Sequence, residues 1–303
     1  MRKIETLREI AIPTPCGSFS LSLQEEDLSA LYPGMIRYTL SCTGGQRPPL
    51  VFRTNNYEYT PGVAIDARTA ALRKMEEWES AVRTDPCGVA ERQERPQKPV
   101  CMPPVPAAEV LIIQGSPRPD GTSAAVAGWA EAAAREAFRS TAVLYPEELA
   151  IHPCIGCYQC YNTGTCTFDD DMTGVVNAIR AASLLIICTP VYTMTVPASL
   201  KALIDRCQAY HAERALFPRI EYTGKSGLIF VTAGRSGREN ARCTKTVIEA
   251  MYGNLGIVPA GDLLIDGMDT AIDCRRIAGL DTTVRNAVGQ ALRSAGKAAA
   301  PVR

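Results

Sequence analysis

The pattern of apolar and polar positions is clearest after residue 107, where short apolar runs alternate with amphipathic stretches. The apolar runs are EVLIIQ, TAVLY, SLLIICT, SGLIFVTAG and a run within GIVPAGDLLI. Each is followed, directly or after a loop, by a stretch with the spacing of a helix. Apolar runs of this length between helices are typical of parallel strands buried on both faces. Five such strands predict an α/β domain with a doubly wound, five-stranded parallel sheet.

The first hundred residues have a different pattern, which is typical of a small α+β domain. GMIRYTLSC and PPLVFRTNNY are β-rich runs on either side of the turn-like TGGQRP. DARTAALRKMEEWESAVR follows with apolar residues at helical spacing, which indicates packing against a core. The sequence assigns this region no chemical role.

Five prolines within RPQKPVCMPPVPAAE separate the two patterns. Proline at this density cannot continue a helix or a central strand, and it favours an extended linker. The sequence therefore predicts an N-terminal domain over residues 1–95, a linker over 96–106 and a second domain over 107–303.

The charge and hydropathy of the chain exclude several classes of partner. Its 32 basic and 32 acidic residues give a net charge of zero, whereas a nucleic-acid-binding domain needs a basic excess. No apolar run reaches the roughly 18 residues that a transmembrane helix needs. The start, MRKIETLREIAIPTP, lacks the continuous apolar segment of a signal peptide. We therefore expect a cytoplasmic protein without nucleic-acid or membrane partners.

The chain has twelve cysteines, and in a reducing cytosol we expect none of them to form disulfides. Four are clustered and need their own explanation. The other eight are scattered, and we expect them to be small buried or half-buried residues. The scattered cysteines are Cys16, Cys42, Cys87, Cys101, Cys188, Cys207, Cys243 and Cys274.

In doubly wound sheets, ligands bind outside the carboxyl ends of the strands, so the segments after the strands are candidate binding loops. QGSPRPDGTSAAV, residues 114–126, follows the first strand and leads into a helix. Its glycines allow tight turns, Arg118 and the hydroxyls can contact an anion, and a helix N-terminus favours phosphate. The segment matches neither GxxxxGK[ST] nor GxGxxG. An ordinary capped turn is the alternative.

Two further loops follow the third and fourth strands. In TPVYTMTVPASLKALIDR, Pro190 and Pro197 keep the segment between them out of a helix, and Tyr192 and Met194 suit a flat aromatic ligand. A loop that only packs against the core is the alternative. TAGRSGREN is a polar, glycine-rich loop at the same sheet edge. One loop suited to phosphate and two suited to a ring indicate a mononucleotide such as FMN.

Residues from about 107 to 260 resemble the NADPH-dependent FMN reductase family, which has a flavodoxin-like fold. The matching pieces are GSPRPDGTS and DDDMTGVVNAIRAASLLIICTPVYTMTVPASLKALIDR. The family's first loop usually reads GSPRxxGNT, and here Thr122 and Ser123 stand at its last two positions and supply hydroxyls. The residues predicted to bind FMN are Ser116, Arg118, Thr122, Ser123, Pro190, Val191, Tyr192, Thr193, Met194, Ala233 and Gly234. No catalytic side chain is predicted, because the flavin carries the chemistry.

The clustered cysteines lie in CIGCYQCYNTGTC, with the spacing C-x2-C-x2-C-x5-C. Three thiolates at this pitch can wrap one edge of a cubane, and a fourth can complete its ligation. The run resembles the motif of the iron–sulfur flavoproteins within the same family. This resemblance implies a 4Fe–4S cluster with the ligands Cys154, Cys157, Cys160 and Cys166. Zinc and free thiols are the alternatives, since zinc also accepts four thiolates.

Few other residues suggest chemistry. His152 lies two positions before the cysteine run and could line it, whereas His211 is expected at the surface. The acidic run Asp169, Asp170 and Asp171 is expected to cap the following helix.

The sequence thus predicts an FMN-dependent oxidoreductase. In one interpretation it is an iron–sulfur flavoprotein that passes electrons between a 4Fe–4S cluster, FMN and an acceptor. In the other it is a cluster-free reductase that transfers hydride from NAD(P)H through FMN to a flavin or quinone. A binding or regulatory module is a third class, which nothing in the sequence favours. The electron donor and acceptor can be small molecules or proteins. The resemblance also implies a homodimer or homotetramer, because a second subunit completes the cofactor site in the family.

Overall fold

The computed structural model describes residues 3–45, 47–59, 65–94, 106–217, 224–271 and 273–298. The chain forms two compact units. The first comprises Met1–Val100 and Gly156–Thr165, and the second comprises Cys101–Ile155 and Cys166–Arg303. Residues 156–165, predicted as part of the second domain, therefore pack with the first unit. The linker predicted over 96–106 lies outside the described residues except for its last position.

The first unit is built on a four-stranded antiparallel sheet in the order β1-β2-β3-β4. Its elements are β1 (Lys3–Thr14), β2 (Gly17–Asp27), β3 (Ile36–Gly44), β4 (Leu50–Asn55), a 3-10 helix (Asn56–Glu58), α1 (Ala67–Thr84), α2 (Pro86–Glu94) and the single turn α4 (Cys160–Thr163). Helix α1 begins at the N-cap Asp66, whose side chain accepts the N–H of Thr69. The core between the sheet and α1 includes Leu21, Leu40 and Met75.

The second unit has a five-stranded parallel sheet in the order β6-β5-β7-β8-β9. Its strands are β5 (Val110–Gln114), β6 (Thr141–Leu144), β7 (Leu184–Pro190), β8 (Ser226–Thr232) and β9 (Val258–Ile265). Numbered within this unit, the order is 2-1-3-4-5, which is the flavodoxin-like order. The predicted doubly wound sheet is confirmed.

Helices cover both faces of this sheet. They are α3 (Thr122–Glu136), α5 (Met172–Ala181), α6 (Ala198–Arg206), α7 (Gln208–Leu216), α8 (Arg238–Leu255) and α9 (Leu280–Ala298), with 3-10 helices at Pro146–Glu148 and Cys274–Arg276. Ile113 of β5 lies in one core with Leu200 and Ile248, and its neighbour Ile112 lies in the other with Val126 and Val284. This alternation follows from the two-residue period of a strand. In the described parts of the chain, no helix is long and apolar enough to cross a membrane.

The scattered cysteines differ in two respects from the prediction, which was that each is buried or half-buried and that none forms a disulfide. Cys42, Cys188, Cys207 and Cys274 are buried and Cys243 is exposed, while Cys101 lies outside the described residues. Cys16 and Cys87 form a disulfide, with their Cα atoms 6.0 Å apart. The expectation of no disulfide was wrong for this pair, because it rested on the compartment. The fold brings the β1–β2 turn to the start of α2.

Candidate functional site

Three neighbouring strands, β5, β7 and β8, end at one edge of the second unit's sheet. Pro190 of β7 pairs there with Thr232 of β8. Gly115 turns the chain close to β7, and its N–H donates to the carbonyl of Cys188 at 2.8 Å. A Cβ at Gly115 would lie 2.5 Å from Cδ2 of Leu200, so glycine is needed for this close approach.

The loop after β5 is held in shape by its own side chains. Gln114 donates from Nε2 to the carbonyl of Arg118 at 3.0 Å and accepts the N–H of Ser116 at 2.5 Å. The Oγ of Ser116 accepts the N–H of Arg118 at 3.1 Å. A hydroxyl that accepts one hydrogen bond still has its own proton to donate. Ser116 can therefore donate to a phosphate oxygen.

Helix α3 begins directly after this loop. Its N-cap residue is Gly121, which provides no side-chain cap, and the N–H groups at such a helix start attract anions. The hydroxyls of Ser123 and Thr232 share a hydrogen bond of 2.8 Å, and both residues are buried. The hydroxyl of Thr122 hydrogen-bonds the thiol of Cys274. Two hydroxyls predicted to face phosphate thus also fix the start of α3.

The loop after β7 contains a tight turn from Tyr192 to Thr195. The N–H of Tyr192 donates to the carbonyl of Thr195 at 2.8 Å, and the N–H of Thr195 donates to the carbonyl of Tyr192 at 3.0 Å. Thr193 and Met194, at the two central positions, have φ angles of 46° and 66°. Two left-handed residues in a two-residue turn define type I′, which normally contains asparagine and glycine. Strained residues of this kind cluster at ligand sites.

A cavity of about 440 Å³ opens between the loops that follow β7, β8 and β9. Its volume is in the range of roughly 300–1,000 Å³ that is usual for small-molecule sites. The cavity is lined by Val191, Thr193, Met194, Ala233, Gly234, Arg235, Asn240 and Asp269. The first five are residues predicted to bind FMN. The other predicted residues, Ser116, Arg118, Thr122, Ser123, Pro190 and Tyr192, are not among the lining residues.

Three lining residues, Arg235, Asn240 and Asp269, were not predicted individually. Asp269 lies against the backbone of Gly234: its N–H donates to the Gly234 carbonyl at 3.0 Å, and a Cβ at Gly234 would lie 2.1 Å from its Oδ1. Arg235 and Asn240 belong to TAGRSGREN, which the sequence indicates only as a polar, glycine-rich loop. Asp269 follows the fifth strand, and this position after a strand end is the feature of the sequence that could have pointed to it.

The chemical character of these residues suits the two parts of FMN, its ring and its phosphate. The cavity offers the apolar Val191 and Met194 and the backbone of Ala233 and Gly234, while the loop after β5 offers a hydroxyl and a helix N-terminus. A ring needs flat, largely apolar walls, and a phosphate needs N–H and O–H donors. The close packing at Gly115 lets the backbone of the loop lie beside β7.

The clustered cysteines are divided between the two units. Gly156–Thr165, which contains Cys157 and Cys160, belongs to the first, and Cys154 and Cys166 belong to the second. Cys154 is exposed, and the other three are half-buried. Within the described ranges, no three His, Cys, Asp or Glu side chains form a group that could hold a metal ion. The cysteines match a cluster in donor type and in spacing along the chain.

Asp170 does more than the helix capping predicted for the acidic run. It receives hydrogen bonds of 2.7 and 2.9 Å from the guanidinium of Arg206, whose side chain is 1% exposed. It also accepts the N–H of His152 and the N–H of Met172 at the start of α5. Burial alone would raise the pKa of Asp170, but these hydrogen bonds outweigh it and lower the pKa below its ordinary value.

Arg206 also contacts the chain on both sides of the cysteine run. Its Nη1 donates to the carbonyl of His152 at 2.7 Å, and its side chain hydrogen-bonds Cys166. The ring of Phe168 lies 5.0 Å from Cζ of Arg206 and 5.0 Å from the ring of His152. His152 is therefore beside the run. His211 lies on α7 and is half-buried.

Known proteins resemble this chain in sequence. An iron–sulfur flavoprotein of Methanocaldococcus jannaschii is 31% identical over 129 residues, which are 43% of this chain and 64% of that protein. An iron–sulfur flavoprotein of Methanosarcina thermophila is 36% identical over 98 residues, which are 32% of this chain and 51% of that protein. The matches span about half to two thirds of the length of these relatives.

A solved structure and a family profile also match. The NAD(P)H:quinone oxidoreductase from Methanothermobacter marburgensis superposes with a TM-score of 0.44 and 16% identity, covering 65% of this chain and 99% of that one. The profile of NADPH-dependent FMN reductases matches residues 108–268, more than half of the chain. This match includes all five strands of the parallel sheet and the loops after β5, β7 and β8. The chain therefore belongs to the NADPH-dependent FMN reductase family.

Proposed function

We propose that this protein is a flavin-dependent oxidoreductase that binds FMN at the carboxyl edge of its parallel sheet. The flavin ring occupies the cavity between the loops after β7 and β8, and the phosphate lies at the loop after β5. The observation that carries the proposal is that five residues predicted from the sequence line one cavity. FMN, when bound, supplies the electron-carrying chemistry. NAD(P)H is the proposed donor, and a small molecule or a protein is the acceptor.

The residues of the chain bind and orient the cofactor. The Ser116 hydroxyl and the N–H groups at the start of α3 bind the phosphate. The turn that contains Thr193 and Met194 and the backbone at Gly234 hold the ring. Because Gly234 has no side chain, the carboxylate of Asp269 lies against its backbone and adds a polar group to the cavity wall.

The test is a double variant, Ser116→Ala with Arg118→Ala. Hydrogen bonds to charged groups contribute about 1.5–3 kcal/mol each, so the variant is expected to lose most of its FMN during gel filtration. A matched control, Ser18→Ala with Arg73→Ala, removes an exposed serine and an exposed arginine of the first unit. The control is expected to retain FMN. A double variant that retains stoichiometric FMN would show that the phosphate lies elsewhere.

A second candidate function is that of an iron–sulfur flavoprotein with a 4Fe–4S cluster on Cys154, Cys157, Cys160 and Cys166. Two observations support it: the compact spacing of the four thiols, and the iron–sulfur flavoprotein names of the curated relatives. In the part of the chain that the structure describes, no group of three His, Cys, Asp or Glu side chains could hold a metal ion, so no electron-transfer step is assigned to a cluster.

Anaerobic purification followed by iron and sulfide analysis decides between the candidates. About four iron and four sulfide per chain, lost in Cys157→Ser with FMN retained, support the cluster. Zinc without sulfide identifies a zinc site. If the protein contains no metal and Cys157→Ser has an unchanged NAD(P)H-dependent rate, the protein is a cluster-free reductase.

A further inference from the structure

The first unit contains a partly buried polar pocket that is filled by residues 158–162 of the cysteine run. Glu58 lies at its centre. The Oε2 of Glu58 accepts Nε2 of Gln159 at 2.7 Å, and its Oε1 accepts Nδ2 of Asn162. Oε1 also accepts the N–H of Asn55 at 2.9 Å and its Nδ2 at 2.8 Å. The local sequence presents this carboxylate, because Asn55 and Glu58 form the capping box of the 3-10 helix.

Buried polar groups of the pocket and of residues 158–162 form hydrogen bonds with each other. Asn55 is 0% and Asn162 is 1% exposed, and Nδ2 of Asn55 donates to Oδ1 of Asn162 at 2.9 Å. Burial raises the pKa of Glu58 even though several donors, including Asn162, act to lower it. Glu58 is half-buried, and a carboxylate shielded from water in this way is costly unless donors surround it. Two of its donors come from the cysteine run.

Arg37 holds the same segment by its backbone. Its Nε and Nη2 donate to one carboxylate oxygen of Glu26, at 3.0 and 2.5 Å, and its Nη1 donates to the carbonyl of Tyr161 at 2.9 Å. Arg37, Glu26 and Tyr161 are all buried. Arg53 adds a hydrogen bond of 3.3 Å to the carbonyl of Asn162. The guanidinium fork is thus fixed on one side by an ion pair and binds the backbone with its remaining nitrogen.

The backbone around Cys157 is held in an unusual shape. Gly156 and Tyr158, on either side of Cys157, have φ angles of 64° and 55°. A left-handed conformation at tyrosine persists only where the surroundings fix it. The ring of Tyr158 stacks on Tyr161 at 5.4 Å and meets the edge of Tyr57 at 5.2 Å. These contacts lie within the first unit.

We infer that the N-terminal unit serves to position Cys157 and Cys160, with Glu58 and Arg37 as its positioning residues. The pocket binds the residues between and after these two cysteines and fixes the direction in which their thiols point. The inference gives a role to a region whose sequence showed no chemical motif. Its purpose rests on the second candidate function, because the cysteines need a fixed geometry only if they act together.

The test compares the thiol reactivity of full-length Glu58→Ala, Glu58→Gln and wild-type protein. Each is purified anaerobically, stripped of any iron by chelation, and alkylated with iodoacetamide while mass spectrometry follows each cysteine. In Glu58→Ala we expect alkylation of Cys157 and Cys160 to accelerate about tenfold, the factor for roughly 1.4 kcal/mol of lost local stability. The rates at Cys154 and Cys166 are expected to change less than about twofold, well below that factor.

Glu58→Gln is the rescue variant. The amide keeps an acceptor oxygen for Asn55 and Asn162, and the Gln159 amide can turn to accept from the new nitrogen. Its rates are therefore expected to match the wild type. Glu77→Ala, which removes an exposed carboxylate paired with Lys74 on α1, is the matched control and is also expected to be silent.

Two outcomes would overturn the inference. One is unchanged rates at Cys157 and Cys160 in Glu58→Ala. The other is equal acceleration at all four cysteines, which would indicate general loosening. The proposed cluster is judged separately by iron in the wild-type protein before chelation. Absence of iron would remove the cluster and leave the alkylation result to decide the positioning role.

Discussion

Thr193 and Met194 occupy the two left-handed positions of the turn at the cavity. An L-residue in this conformation costs roughly 1–2 kcal/mol, and a β-branched side chain such as threonine fits it poorly. Glycine or asparagine would form the same turn with less strain. Thr193 and Met194 line the cavity, and under the proposed function we expect them to contact FMN.

Replacing Thr193 with glycine is therefore expected to stabilise the protein and weaken FMN binding. The relief of strain exceeds the entropic cost of glycine, which is about 0.5–1 kcal/mol, so we expect a gain of up to about 1 kcal/mol. Urea unfolding of FMN-free protein measures the first effect, and fluorescence titration with FMN measures the second. Thr246→Gly, within α8, is the control and is expected to destabilise by about 1 kcal/mol. Equal destabilisation by both changes would contradict the account.

The candidate site could be predicted in part from single residues. Val191, Thr193, Met194, Ala233 and Gly234 follow two strand ends in the sequence, and the geometry of a parallel sheet brings such positions together. Asp269 was not predicted, because its signal in the sequence is only its position shortly after the fifth strand, β9. The turn strain at Thr193 could not be predicted, because nothing in a threonine or methionine indicates a left-handed conformation.

The strands differ in how clearly the sequence shows them. Strands such as β7 and β8 are buried along nearly their whole length, so their apolar runs are unmistakable. Strand β1 is mostly exposed and its sequence is polar and charged, so it was not predicted. Strand β2 was not predicted either, although its buried residues alternate along the strand. The helix α1 was predicted because its buried residues recur at helical spacing.

The ion pair between α6 and the segment before α5 makes a prediction for stability. Asp170→Asn leaves the buried guanidinium of Arg206 without its charge partner, which typically costs about 3–5 kcal/mol. The control is Asp205→Asn, which breaks the exposed pair of Asp205 with Lys201 and is expected to cost no more than about 1 kcal/mol. Chemical unfolding of the wild type, Asp170→Asn and Asp205→Asn measures the loss of unfolding free energy in each variant. A loss in Asp170→Asn as small as in the control would contradict the buried ion pair.

The same pair predicts a pH dependence. The pKa of Asp170 is lowered in the folded protein, so its contribution is present above the unfolded value of about 3.9. It is lost as the pH falls through the lowered folded value. The difference in unfolding free energy between wild type and Asp170→Asn should therefore be constant near neutrality and shrink below about pH 4. If the difference in unfolding free energy stayed constant down to pH 2, it would argue against a stabilising charge on Asp170.

The placement of residues 156–165 in the first unit could not be predicted from the sequence. Local patterns report on the burial of neighbouring positions, whereas this placement depends on a polar network. Asn55 and Asn162, whose side chains are hydrogen-bonded, are 107 positions apart in the chain. Separate helix and strand patterns therefore predict two domains, but not that residues 156–165 belong to the first unit.

We expect the protein to form a homodimer or homotetramer. The family resemblance implies that a second subunit completes the cofactor site, and closed symmetry is the default for oligomers. Tyr192 and Met194, beside the cavity, are 40% and 46% exposed, which leaves apolar surface for a second subunit to cover. Light scattering at micromolar concentration measures the mass. A monomer would contradict this expectation.

The proposed function requires that the protein binds FMN and that NADPH reduces the bound flavin. The most direct measurement is the visible spectrum of protein purified anaerobically, recorded before and after NADPH is added. We expect the spectrum to show a flavin absorption band that NADPH bleaches. We also expect denaturation to release FMN in stoichiometric amount. Protein that purifies colourless and binds no added FMN would contradict the proposed function.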